Sequence, residues 1–262
     1  MELLTDTKHL KIQLDDVGRQ LLYNTIIKRY GYTSSANYSF VVRDKRYGVI
    51  LSHFPKAPYA NYSTALSFQG YSNESPLLQA VFKLIPLIRW KARRIDMAFD
   101  SSLPYEELHV VSPPKKATKK CYPTSLYLGR ESSPVQLHAY DKQEQMLKVR
   151  GVKTDTWTRV ELRYRFEPMK RVTELTTEDF AAAKDYWILP DITAMPKKLQ
   201  DEVRMLNLGV KNSVTRTTQA KIREYGYEYG VNLFDIITST LETKDINSLL
   251  YVPSKQLGEL SS

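Results

Sequence analysis

A single cysteine, Cys121, stands in a chain of 262 residues, so no internal disulfide can form and a reducing compartment is expected. No apolar run approaches the roughly 20 residues of a membrane span, so no membrane partner is expected. The opening residues, Met1-Glu2-Leu3-Leu4-Thr5-Asp6, lack the basic stretch followed by an apolar one that marks a secretory leader. Together these absences predict a cytoplasmic location. Glycine is scarce, at ten residues, and no glycine-rich phosphate loop occurs, which argues against ATP use by the chain itself. Repeats and long low-complexity tracts are also missing.

What the chain has in excess is positive charge. Thirty-eight Lys and Arg face 29 Asp and Glu, a formal net charge of +9. Such an excess favours polyanions, because neutralising phosphates releases counterions. Eighteen tyrosines fit the same partner, since aromatic faces stack on unpaired bases. With 42% hydrophobic residues the chain has enough apolar surface for a core.

Hydrophobic spacing predicts a helix over 16–30, closed by Gly31, then short strands at 38–43, 47–54 and 62–68. A helix over 76–89 should kink or end at Pro86. Strands are predicted at 93–100, 126–130, 135–141 and 157–166, with a short helix over about 142–149. After Pro168 the pattern turns helical: Thr177-Glu178-Asp179 reads as a helix start, and further helices fit 197–207, 215–225, 231–240 and 245–251. The reading is α+β: an antiparallel-sheet domain with flanking helices over 1–172, then a helical C-terminal region over 173–262. Lys197, Lys198, Arg204, Lys211, Arg216, Lys221 and Arg223 make that second region basic and a candidate for sequence recognition, although no helix-turn-helix signature is present.

Three segments carry chemistry. In Arg94-Ile95-Asp96-Met97-Ala98-Phe99-Asp100, strand alternation puts Asp96, Ala98 and Asp100 on one face, with the carboxylates about 7 Å apart. In Arg159-Val160-Glu161-Leu162-Arg163-Tyr164-Arg165, Arg159, Glu161, Arg163 and Arg165 share a face. If these strands neighbour one another, Asp96 and Glu161, with Asp100 as a further ligand, suit a hard divalent cation such as Mg²⁺ or Mn²⁺. The same spacing suits a polar face with Arg–Asp and Arg–Glu cross-strand pairs. In the third segment, 135–144, alternation groups Gln136, His138, Tyr140 and Lys142. A tyrosine beside a lysine and a histidine is a nucleophile constellation, because a cation stabilises phenolate; it is equally a core aromatic with a satisfied hydroxyl. Lys115, Lys116, Lys119 and Lys120 form a charged loop that either clamps phosphates or is merely solvated.

Taken in order, Arg94/Asp96/Ala98/Asp100, then Tyr127/Gly129/Arg130 with Ser132 or Ser133, then Tyr140/Asp141/Lys142/Glu144, then Arg159/Glu161, these segments resemble the replication initiation factor family of plasmid rolling-circle initiators and related conjugative-element relaxases. The resemblance covers residues 94–165. Two positions depart from its pattern: no serine precedes Arg130, and His138 stands where an arginine is usual. The resemblance implies a nicking-closing enzyme in which a tyrosine cuts one strand at an origin and stays joined to the 5′ phosphate. It implies Tyr140 as the nucleophile, with Tyr127 and Tyr164 as alternatives; Lys142 and His138 join it as catalytic candidates from the constellation above. Strand parity and the resemblance together put Asp96 and Glu161 on the metal with Asp100 as a further candidate, and positive charge makes Lys115, Lys116, Lys119, Lys120, Arg130, Arg159 and Arg163 the candidates for DNA. The partners it implies are origin DNA, single- and double-stranded, with a host helicase and a second copy of the chain beyond them. A non-catalytic origin-binding protein on the same fold is the competing reading. An RNA-binding module is a third, without a recognisable RNP-type aromatic strand to support it.

Overall fold

The computed structural model describes residues 2–111, 119–207, 210 and 214–243. In chain order the elements are β1 (Glu2–Ile12), α1 (Asp16–Leu22), α2 (Lys28–Tyr30), β2 (Tyr38–Asp44), β3 (Val49–Pro55), β4 (Thr64–Gln69), α3 (Pro76–Leu84) and β5 (Lys91–Ser101). There follow β6 (His109–Val111), β7 (Lys119–Tyr122), β8 (Ser125–Leu128), β9 (Val135–Asp141), α4 (Lys142–Arg150) and β10 (Thr158–Arg171). The last are β11 (Trp187–Leu189), α5 (Lys197–Asn207), α6 (Arg216–Tyr229), β12 (Val231–Asn232) and α7 (Leu233–Thr243). The architecture is α+β with antiparallel strand pairing, as the sequence predicts. Two compact units form, and the division runs through β1, β5 and β10.

The first unit comprises Thr5–Asp96 and Arg165–Leu175. Its strands run in the order β2-β3-β4-β1-β5. Antiparallel register aligns Val42, Leu51, Leu66 and Leu10 in one row, all buried. The opposite face carries the row Arg43, Ile50, Ser67, His9 and the row Val41, Ser52, Ala65, Lys11. Helix α3 starts where Ser75 Oγ accepts from Leu78 N and Pro76 occupies the first turn. It buries Leu77, Leu78, Val81 and Phe82 and stops before Pro86. Phe82 packs edge-on against Phe68 and Trp90, and the buried Trp90 indole donates to Ile85 O at 3.1 Å. Strand β1 has no counterpart among the predicted elements: its alternation is masked by Lys8, which is buried on the apolar side with Leu10 and Ile12.

The second unit comprises Met97–Tyr164 and Thr176–Thr243, with the opening residues of β1. Its larger sheet runs β5-β10-β9-β8-β7, and its smaller one β12-β11-β6. Helices α5 and α6 close over Leu189, Ile192, Met195, Val203, Val214 and Ile222. Gly226 in mid-helix is explained by close approach: a Cβ there would overlap the Val111 side chain.

Particulars differ from the sequence reading. Lys119 and Lys120 lie in strand β7 rather than a loop, because Lys119–Tyr122 finds a hairpin partner in Ser125–Leu128. Lys115 and Lys116 lie outside the described residues, as do Lys211 and the helix expected over 245–251. The segment starting at Thr177 is a 3-10 helix through Asp185. Within the expected helical C-terminal region, α5–α7 alternate with strands β11 and β12, and β11 pairs with β6.

Candidate active site

The site is built on one face of the second unit's larger sheet. Register sets Lys120 opposite Tyr127, Tyr127 opposite His138 and His138 opposite Glu161, so all four project to the same side. The next row holds Ser125, Tyr140 and Arg159, and Gln136 pairs with Arg163 on the other side of the first row. Leu137, Ala139, Val160 and Leu162 point the opposite way and are buried. This is the period-two grouping read from the sequence.

Tyr140 is the penultimate residue of β9, and Asp141 closes the strand and caps α4: its carboxylate accepts from Glu144 N at 2.8 Å. Lys142 therefore falls on the first helical residue. Its ammonium donates to Tyr140 Oη at 3.4 Å and to Gln145 Oε1 at 2.7 Å, and lies 5.5 Å from the Tyr140 ring centroid and 5.7 Å from that of Trp157. Helix α4 ends at Gly151, whose φ of 67° suits glycine.

Across the strand pair, Tyr140 Oη donates to Glu161 Oε1 at 2.7 Å. Arg163 Nη2 donates to Glu161 Oε2 at 3.0 Å and to His138 Nδ1 at 3.0 Å. The His138 ring lies between two tyrosines, stacked on Tyr127 at 4.1 Å and on Tyr140 at 4.3 Å. Tyr140, Glu161 and His138 are only 5%, 4% and 6% exposed, so the network is buried and its hydrogen bonds act in a low dielectric.

Electrostatics follow from that burial. Burial pushes the Glu161 carboxyl up, but hydrogen bonds from His138 and Tyr140 and the Arg163 charge outweigh it and hold the group at about 2. Burial lowers His138, and the Arg163 charge adds to that against the pull of Glu161. His138 Nδ1 thus stands between two partners, Arg163 Nη2 at 3.0 Å and Glu161 Oε2 at 3.7 Å, and the ring's protonation decides which of the two it engages.

The other tyrosines are distinct. Tyr164 is buried, donates to Phe180 O at 3.2 Å, and has its phenol pushed up by burial; it is a core aromatic. Burial also pushes the Tyr127 phenol up. Residues that sequence reasoning passed over as site members are Trp157, which lies under both Lys142 and Arg159, and Gln145. Lys142 and Arg159 both come within cation–π distance of Trp157, a relation that only the fold creates.

The remaining predicted site residues are distributed as follows. Arg159 forms a bidentate pair with Asp100, at 2.7 and 2.8 Å. Arg130 is exposed in the turn after Gly129, and Lys119 and Lys120 are exposed on β7. In the first unit, Asp96 is held by Arg94, whose Nε donates to Oδ1 at 2.7 Å and whose Nη2 pairs with Oδ2. Lys8 also lies near Asp96: burial lowers its ammonium to about 7 against the opposing pull of Asp6 and Asp96. Among the described residues no group of three or more His, Cys, Asp or Glu side chains is set to hold a metal. Asp96, Asp100 and Glu161 each face a guanidinium, which a hard cation seeking an oxygen shell would have to displace. As arranged, these residues do not fit a bound divalent ion.

No family model matches the chain, and no curated protein matches it by sequence. Among solved structures it is similar to a rolling circle replication initiator protein from Geobacillus stearothermophilus. The identity is 14% and the TM-score 0.40, covering 79% of this chain and 98% of that one. At that level of likeness nothing about activity follows for this chain.

Proposed function

We propose that this protein initiates rolling-circle replication by nicking and rejoining one DNA strand through Tyr140. The observation that carries the reading is the Tyr140 hydroxyl held between Glu161 and Lys142, on a strand face flanked by Arg163 and Arg159. The motif order along residues 94–165 supports it. In the proposed step the Tyr140 oxygen bonds to phosphorus and the P–O3′ bond breaks. The phenolic proton passes to Glu161, and the departing 3′ oxygen takes a proton from solvent. Rejoining is the reverse, with the 3′ hydroxyl as nucleophile.

An ordinary phenol loses its proton near pH 10, so transfer to a carboxylate held at about 2 is strongly uphill in the resting site. Glu161 thus orients the phenol at rest, and Lys142 stabilises the developing phenolate. A phosphodiester that draws Arg163 away from Glu161 removes one of the influences holding that carboxyl down, and Glu161 becomes a stronger base when substrate is present. No step here runs through a metal. The expected Mg²⁺ or Mn²⁺ requirement is a separate proposal, read by nicking in excess chelator: persistence of wild-type activity removes it.

One observation favours a second reading, a non-catalytic origin-binding protein. Tyr140 is 5% exposed and its hydroxyl is already engaged, as a structural tyrosine would be. Incubation with labelled DNA carrying the protein's own origin, with and without divalent cation, separates the two. A protein–DNA adduct that survives denaturing electrophoresis supports the enzyme. Binding without an adduct under either condition leaves the second reading.

A further inference from the structure

In the first unit four rings gather around Phe40 of β2. The centroids of Tyr32, Tyr23, Phe54 and His53 lie 4.9, 5.0, 6.0 and 6.4 Å from that of Phe40. A group that served only the core would be covered. Tyr32 and Phe54 are instead 48% and 39% exposed, while Tyr23 and Phe40 are half-buried.

Three local departures build this group. A π-helical turn over Tyr23–Ile27 interrupts the helix between α1 and α2, and Tyr23 is its first residue; such turns collect at functional sites. In a regular strand His53 and Phe54 would point to opposite faces. Phe54 has a φ of 54° instead, a left-handed conformation costly for a bulky residue, with its N–H held by Ser63 O at 3.0 Å. The two rings consequently lie 4.4 Å apart, and both reach Phe40. Strain that leaves an aromatic ring in solvent gains little for the core and is characteristic of binding sites. The third departure is His53 itself, which is buried. Its Nδ1 lies 2.8 Å from Thr64 Oγ1, but among the described residues Nε2 has no hydrogen-bond partner, a buried nitrogen that the fold does not satisfy.

Charge points to the class of ligand. Arg19 lies 5.6 Å from the Phe54 ring centroid and pairs with Asp16, whose side chain is 90% exposed, so the pair contributes little. Arg43 Nη1 donates to the Thr33 hydroxyl at 2.8 Å and Lys56 to Ser35 O at 2.7 Å, partners that carry no charge. Over residues 15–56 seven Lys and Arg face Asp15, Asp16 and Asp44. Open aromatic faces on a cationic segment suit unpaired bases joined by phosphates.

We propose that Phe54 and Tyr32 are a stacking platform for the unpaired bases of single-stranded DNA, with Arg19 beside the strand's phosphates. The platform belongs to the first unit and does not use Tyr140, so it goes beyond the nicking reaction and stands or falls separately from it.

The test measures binding of the full chain to a fluorescent oligothymidylate and to a blunt duplex of the same length. Glycine adopts a φ of 54° freely, so Phe54→Gly releases strain as it deletes the ring, and the variant should melt close to wild type. Phe54→Gly with Tyr32→Ala should weaken oligothymidylate binding by about tenfold or more and leave duplex binding unchanged. Phe54→Trp keeps a stacking face and should retain wild-type affinity. In the wild type, irradiating the complex with an oligothymidylate that carries iododeoxyuridine should cross-link Tyr32 or Phe54, read by peptide mapping. Wild-type single-strand affinity in the folded double variant, an equal loss on the duplex, or cross-links confined to other residues would each overturn the proposal.

Discussion

The face of β9 and β10 and the groove on β1 and β4, lined by Lys11, Arg93, Arg94 and Arg165 among others, are both basic in sequence, but they hold that charge differently. On β9 and β10 the cations are matched: Arg163 meets Glu161 and Arg159 meets Asp100. Along the groove Arg94 pairs with Asp96 and Arg93 with Glu167, carboxylates that do not line it, and the His9 imidazole is lowered first by burial and then by the charges of Arg94, Lys11 and Arg165. A matched network fixes one geometry, because each buried carboxylate needs its partners in place. A pair with an exposed carboxylate, as Arg93 makes with Glu167, fixes its geometry less firmly. The difference teaches that net charge says which class of partner a chain favours, while the burial of each pair says how firmly its charge is held.

The sharpest way to break this contrast is Tyr140→Phe. It keeps the ring and its stacking on His138 but removes the proposed nucleophile, so covalent adduct formation should vanish while DNA binding persists. Loss of the hydrogen bond to a buried carboxylate should also cost about 1–3 kcal/mol of stability in a denaturant titration. An adduct that still forms would move the nucleophile elsewhere, with Tyr127 tested next.

Glu161→Gln probes the matched side by charge alone. Nicking should fall by about 100-fold or more if Glu161 takes the phenolic proton during reaction. Stability should respond as well. A carboxyl depressed to about 2 from an ordinary 4.5 contributes stability that is complete above pH 4.5 and disappears as pH falls through about 2. The wild type should therefore lose melting temperature across that window, and Glu161→Gln should show a flatter profile there. Parallel profiles would mean that Glu161 is not the group being titrated.

The smallest expected effect is at exposed charge. Lys119→Gln with Lys120→Gln should leave stability within about 0.5 kcal/mol of wild type. If these lysines meet phosphates, the slope of log affinity against log salt on a single strand should flatten by about 0.7 per lysine. An unchanged slope would assign both to solvent.

Much of the site was legible because strand alternation is a local property. Gln136, His138, Tyr140 and Lys142 group together from spacing alone, as do Arg159, Glu161 and Arg163. Asp141 is also readable, since a carboxylate three residues before Glu144 at a strand-to-helix junction is a helix cap. Strand β1 was not legible: a buried lysine breaks the apolar alternation that identifies a strand, and its cost is offset by the Thr5 carbonyl at 3.0 Å and two nearby carboxylates.

By itself the sequence determined which residues share a strand face, where α3 and α4 begin, and that the net charge favours a polyanion, because backbone geometry and net charge act without knowledge of distant neighbours. Only the tertiary structure decided which acid meets which base. Sequence spacing allowed Asp96, Asp100 and Glu161 to gather on an ion or to pair with arginines; in the fold Asp96 faces Arg94, Asp100 faces Arg159, and Glu161 faces Tyr140 and Arg163. The groove is likewise a tertiary product, since Lys11, Ala65 and Arg165 come together only through packing. Pairing register between strands far apart in sequence is fixed by burial of their apolar faces, and the polar faces take whatever neighbours that register supplies.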